Sequence, residues 1–231
     1  TISGLAASPA GGVVDGSSSL SATASSGLAV IFGSSTPAVC TVSGSTVSYL
    51  TAGSCTVTAD QPGDANYNAA SQVTLGITVA KADQAITAFA ANPANGDVGD
   101  MPTLSATGGA SGNPVTFGSN TPSVCTVSGS TVTLLASGTC TVTADQAGND
   151  DYNAAPQETL NIGVAKADQT ISGLAANPAS GVVNGSSSLS ATASSGLTVA
   201  FGSSTPGVCT VAGTTVSYLT AGTCTVTADQ A

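Results

Sequence analysis

The residues of this chain best able to do covalent chemistry are six cysteines, and they fall into three pairs. Cys40 and Cys55, Cys125 and Cys140, and Cys209 and Cys224 are each 15 apart, and successive pairs lie 85 and then 84 residues on. With no histidine in the chain and no second pair nearby, this spacing does not fit a zinc site. Between the partners of a pair lie one hairpin, a strand such as Thr46–Leu50 and a second turn. That order predicts cysteines on the first and third strands of a meander, both facing inward. Three local disulfides are the simplest reading; the alternative is buried free thiols. A bond closing a loop of about 15 residues contributes roughly 3 kcal/mol.

Other groups offer less. General acid–base chemistry needs a poised pair, yet the chain has no His, a single Glu at Glu158 and no Ser beside a plausible base. The chain therefore reads as non-enzymatic. Its acids collect in a loop, Asp60-Gln-Pro-Gly-Asp64-Ala-Asn66-Tyr67-Asn68, repeated as Asp145-Gln-Ala-Gly-Asn149-Asp150-Asp151-Tyr152-Asn153. Oxygens of Asp60, Asp64, Asp145, Asp150 and Asp151 could hold a weakly bound extracellular Ca²⁺. A turn whose Asn and Asp cap their own backbone while the Tyr packs inward needs no metal, and this is the favoured reading, so no cofactor is expected. Lys81 and Lys166 could in principle form isopeptide bonds to Asn; lying beside Asp83 and Asp168, they read as solvated connector residues. Asn184-Gly-Ser186 is a lone glycosylation sequon.

These residues need a scaffold, and the repeat describes it. Thr36–Gln61 recurs at Thr121–Gln146 and at Thr205–Gln230. A period near 85 residues is a whole domain, longer than one unit of a solenoid. Within it, apolar residues alternate strictly, as in Cys55-Thr-Val57-Thr-Ala59 and Val73-Thr-Leu75-Gly-Ile77-Thr-Val79. This is the signature of half-buried strands, and no stretch has helical spacing. In the second repeat seven strands are predicted, near 84–90, 101–107, 114–119, 123–128, 131–136, 139–145 and 157–165. The expected fold is all-β: tandem immunoglobulin-like β-sandwiches of about seven strands, one disulfide per repeat. Repeats are expected at 1–80, 81–165 and 166–231, the first lacking the start of its first strand and the third its final strand. The chain thus reads as a window onto a longer repetitive protein, with any secretion signal elsewhere.

Phe32, Phe117 and Phe201 precede the first cysteine by eight residues in every copy, and Tyr49 and Tyr218 alternate with Leu134. Interchange with Leu marks core positions, so no aromatic binding platform is expected. The connectors, Val79-Ala-Lys81-Ala-Asp83-Gln84 and its copy at 164–169, contain no Gly, Pro or Ser. They predict strand running almost directly into strand, hence a stiff rod. At roughly 35–45 Å per sandwich, three copies would span on the order of 100 Å.

Two Lys and no Arg stand against twelve acids, a net charge of −10. Such a surface cannot neutralise a nucleic-acid backbone or dock on anionic lipid, and no apolar run reaches the ~20 residues that span a bilayer. Only 6% of residues are charged, far below the ~25% usual in soluble domains. A polar surface of Ser, Thr, Asn and Gly, poor in basic cleavage sites, suits an extracellular or cell-surface location.

The run Pro-x-Val-Cys-Thr-Val through Cys-Thr-Val-Thr-Ala-Asp-Gln, with the Gly-Asn-Asp-Asp-Tyr-Asn-Ala-Ala-Pro-Gln segment and the Lys-Ala-Asp-Gln-Thr-Ile connector, resembles bacterial immunoglobulin-like tandem repeats. Such repeats occur in very large secreted and cell-surface proteins. The resemblance covers essentially the whole chain and implies a spacer, stalk or fibre module without catalytic residues. Two roles follow: a module of an extracellular filament or surface stalk that self-associates or packs on neighbouring repeats, or the spacer arm of an adhesin whose binding domain lies elsewhere. Direct ligand binding by the repeats is a third, and a neighbour-donated final strand is a further assembly option.

Overall fold

A computed structural model describes residues 1–230. It is all-β, with no helix among the described residues, and divides into two compact units, Thr1–Lys166 and Ala167–Ala231.

The first unit holds repeats 1 and 2. Repeat 1 comprises β1 (Ile2–Ser8), β2 (Gly12–Val13), β3 (Ser17–Ala24), β4 (Ile31–Ser34), β5 (Cys40–Ser43), β6 (Thr46–Tyr49), β7 (Gly53–Asp60) and β8 (Val73–Ala80). They form two sheets, ordered β1-β3-β6-β5 and β2-β8-β7-β4. Repeat 2 follows suit with β9 (Thr87–Asn92), β10 (Asn95–Asp97), β11 (Thr103–Thr107), β12 (Val115–Ser119), β13 (Cys125–Ser128), β14 (Thr131–Leu134), β15 (Gly138–Gln146) and β16 (Glu158–Ala165). Its sheets run β9-β11-β14-β13 and β10-β16-β15-β12. Setting aside the short β2 and β10, four strands facing three in this order is the constant-type immunoglobulin arrangement. The addition is a short strand, β2 or β10, paired parallel to the last strand of its repeat. At two or three residues it is too short to show an alternation in sequence, and it was not among the seven predicted strands.

The alternating pattern explains the core. On β7, Cys55, Val57 and Ala59 are fully buried while the intervening threonines are partly exposed. Val47 and Tyr49 of β6 and Ile77 and Val79 of β8 close the space between the sheets. Burying each such aliphatic side chain is worth about 1.5–3 kcal/mol. In repeat 2 the same places are held by Val132, Leu134, Val142, Ile162 and Val164.

The disulfides join Cys40 to Cys55, Cys125 to Cys140 and Cys209 to Cys224, each with Cα atoms 5.6 Å apart. The meander does not hold. Cys40 lies on β5 and Cys55 on β7, which belong to opposite sheets. After the β5–β6 hairpin the chain crosses the sandwich, so each bond staples sheet to sheet. The reason lies in the partners: β6 pairs with β3 on its other edge and leaves no site for β7 in that sheet.

The register of β1 on β3 shifts between Ser3 and Ala6, where Gly4 takes φ 64°. Repeat 2 makes the same shift with Ala88 at φ 53°, a left-handed conformation that costs a residue with a Cβ roughly 1–2 kcal/mol.

The second unit contains β17 (Ile171–Asn177), β18 (Ser186–Ala193), β19 (Ala200–Ser203), β20 (Cys209–Ala212), β21 (Thr215–Tyr218) and β22 (Val226–Asp229). Its sheets are β17-β18-β21-β20 and β19-β22. Leu189, Cys209 and Val216 form its buried core, with Tyr218 and Cys224 only partly covered. Tyr49 and Cys55, their counterparts in repeat 1, are buried because β8 covers them.

Candidate functional site

The Asp/Asn loops are built alike. Asp64 Oδ1 accepts from the backbone N–H of Asn66 at 2.8 Å and of Tyr67 at 2.9 Å. Asn149 Oδ1 accepts from Asp151 and Tyr152, both at 2.9 Å. The N–H of Asp64 returns to the carbonyl of Tyr67, and that of Asn149 to Tyr152. A Cβ at Gly63 or Gly148 would collide with the same tyrosine carbonyl, so glycine is what lets the turn close. The base is held by a carboxylate, since Asp60 takes the Gln72 amide and Asp145 the Gln157 amide. The self-capping turn is therefore present in both repeats. The acids are spread along the loop, with Asp60, Asp64, Asp145 and Asp151 each on its own partner, and no group of three or more His, Cys, Asp or Glu among the described residues could hold a metal ion.

The tyrosines overturn the expectation that they pack into their own repeat. Tyr67 is 52% exposed. Tyr152 is half-buried, and what it packs against is the core cluster of repeat 1. Its hydroxyl donates to Asp15 Oδ2, on the corner that follows β2. Asp15 stands there at φ 65°, a conformation Asp tolerates better than most residues. Beside it, Asp151 Oδ1 accepts from the N–H of Ala52 at 2.8 Å. The connector completes the seam: Ala82 pairs with Tyr152 as an isolated parallel bridge, donating to the Asp151 carbonyl and accepting from the Asn153 N–H, both at 2.9 Å.

Lys81 is not simply solvated, for its ammonium donates to the Asn149 carbonyl. Lys166 is exposed. Gln84, expected at the start of the first strand of repeat 2, instead buries its amide: Nε2 donates to the carbonyls of Ala147 and Asn153, and Oε1 accepts from Ser111. This displaces the start of that strand to Thr87. The connector is thus fastened to both sandwiches.

The hydrogen bond to the Asp15 carboxylate, then desolvation, then the charges of Asp15 and Asp151 hold the Tyr152 phenol above the ordinary tyrosine range. The neutral phenol is the form that donates. The sequence carried one unused hint of this seam: an aromatic placed in an otherwise polar loop, in both copies.

Phe89 and Phe117 stack inside repeat 2 with ring centroids 5.7 Å apart. Asn184, of the sequon, occupies the corner of repeat 3 equivalent to Asp15, exposed and at φ 64°.

No family model matches the chain, and no curated protein matches it. Among solved structures it is similar to surface layer protein SbsC, domains 1–6, at 17% identity over 92% of this chain and 32% of that one, with a TM-score of 0.27. It is similar also to a C-terminal 282-residue fragment of intimin in complex with the intimin-binding domain of the translocated intimin receptor, at 18% identity over 80% of this chain and 69% of that one, TM-score 0.27. A third is mouse protocadherin-24 EC1-3, at 14% identity, covering 81% and 76%, TM-score 0.28. The chain spans about a third of the surface-layer fragment.

Proposed function

We propose that this chain is a structural module of an extracellular or cell-surface assembly: a run of disulfide-stapled β-sandwiches, divided near residues 80 and 165, that holds its neighbours at fixed geometry. The observation that carries this is the seam of repeats 1 and 2. A flexible linker would leave domain ends solvated; here a tyrosine of one repeat packs on the core of the other, and backbone and side-chain hydrogen bonds cross between them. Such fastening makes sense for a part that transmits shape or load. Inter-sheet disulfides that persist only in oxidising surroundings support the extracellular setting. A surface on which only 6% of residues are charged lets like copies lie close with little charge repulsion per unit of contact. The working parts on this reading are Cys40, Cys55, Cys125 and Cys140 as staples and Asp15, Asp151 and Tyr152 as the seam.

Electron microscopy of the native secreted or surface material tests it. Filaments or stalks with an axial repeat equal to a whole number of sandwiches are expected. Rods ending in a distinct globule would identify a spacer arm carrying a separate binding domain, and flexible beads without fixed spacing would end the structural reading.

A further inference from the structure

We infer that the sheet β1-β3-β6-β5, with its counterparts in the other repeats, is a lateral contact surface on which two copies of the chain pair side by side. This rests on the structural reading above and gives its self-association a specific face.

The face is a lattice of hydroxyls. Strand register lines up Ser8, Ser19, Thr46 and Ser43 in one row across all four strands, and Ser17, Ser48 and Thr41 in the next. All of these residues are exposed. Repeat 2 carries the first row as Asn92, Thr103, Thr131 and Ser128. Their exposure does not come from where a repeat stands in the chain. These strands run along the flank of the sandwich, and Ser19 and Thr46 stay exposed although repeat 2 is seated on repeat 1. Thr103, on the seated repeat itself, is exposed too.

Charge sets this sheet apart. Of the twelve acids, those within strands are Asp60 on β7, Asp97 on β10, Asp145 on β15, Glu158 on β16 and Asp229 on β22. Every one of these strands belongs to the other sheet of its repeat. The remaining acids and both lysines lie in corners, loops and connectors. The sheet β1-β3-β6-β5 and its counterparts therefore carry no charged side chain. In a chain of net charge −10, that decides which face a second copy can meet. Setting the other sheet against itself would bring Asp60, Asp145 and Glu158 towards their own copies, and like charges across an interface are strongly penalised. A hydroxyl both donates and accepts, so a hydroxyl lattice can satisfy a copy of itself without any charged partner. The same patch then meets the same patch, which makes the contact isologous and two-fold.

Area limits its strength. At about 3.3 Å per residue and 4.8 Å per strand, the four strands of one sheet cover roughly 350 Å². A standard interface buries about 800 Å² on each partner, so one repeat alone binds weakly. Recurrence of the face in each repeat compensates, because a second engagement follows the first at high effective concentration.

Sedimentation velocity on the 231-residue protein, from ~10 µM to ~1 mM, covers the range of a weak contact. Concentration-dependent pairing is expected. Ser19→Asp with Thr103→Asp, one carboxylate on each of two hydroxyl faces, should weaken it by about tenfold or more. Thr74→Asp with Thr159→Asp adds the same charge at exposed positions of the other sheets and should leave pairing unchanged. Mixing the first Asp variant with Ser19→Lys, Thr103→Lys should recover pairs, because the face meets its own copy. Circular dichroism verifies the fold of each variant. A wild-type protein that stays monomeric, or equal weakening by both Asp pairs, overturns the contact. Monomers retarded on uncharged dextran, with the delay lost in Ser19→Asp, Thr103→Asp, would give the face to glycan instead. Monomers combined with regularly spaced native filaments would discard this face and leave the structural role standing. Pairing combined with native rods that end in a globule would do the reverse.

Discussion

The loops at 60–68 and 145–153 fold alike and meet different surroundings. One is capped, rigid and exposed; the other is capped, rigid and seated on a neighbour, with Tyr152 against the repeat 1 core where Tyr67 faces solvent. Their likeness shows that the turn is a local product of its own residues, Asx oxygen to backbone N–H two and three residues on. Their difference shows that the tyrosine at the tip is covered where another repeat meets it and not by its own repeat. A loop serving its own repeat would bury its tyrosine there, as Tyr49 is buried at 2% exposure with its hydroxyl on Ser18.

The largest perturbation removes what both loops stand on. Each loop leaves the end of β7 or β15, and those strands are stapled to the opposite sheet by Cys55 or Cys140. Cys125→Ser with Cys140→Ser should cost repeat 2 roughly 3 kcal/mol and release its loop, measured as loss of the repeat 2 transition in urea unfolding. Next comes the contrast itself. Tyr152→Ala should speed amide exchange at Ala52, Ala82 and Asn153, whose N–H groups lie in the seam, by about tenfold or more. Tyr67→Ala should leave those amides unchanged. Equal effects from the two would show that the seam is not held by its tyrosine.

A smaller effect follows from protonation. Because the folded protein raises the Tyr152 phenol above its ordinary value, the contact contributes fully below the unfolded tyrosine range, roughly pH 10, and is lost as pH climbs through the raised value. Tyrosinate absorbance should show one late-titrating phenol that disappears in Tyr152→Phe, and that Asp15→Asn moves earlier. The smallest change strengthens the frame. Ala88→Gly at φ 53° should stabilise repeat 2 by about 1 kcal/mol, since repeats 1 and 3 already use glycine there. Urea midpoints decide it.

Much of this protein is legible in its sequence. Strict alternation along Cys55–Ala59 and Val73–Val79 decides which side chains point inward, because successive residues of a strand face opposite ways whatever the strand is paired with. The Asx turns are equally local, spanning two or three residues. A spacing of 15 brings cysteines within reach after one hairpin. Tertiary structure decided the rest. Whether the strand bearing Cys55 joins β6 or crosses to the other sheet depends on which edges β3 and β8 leave open, and strand pattern carries no record of partner. The two-residue β2 is visible only through its pairing with β8. The seam joins Tyr152 to Asp15 across 137 residues and Asp151 to Ala52 across 99. Each group there is an ordinary polar residue in its own segment, and only the packing of one sandwich on the next makes them partners.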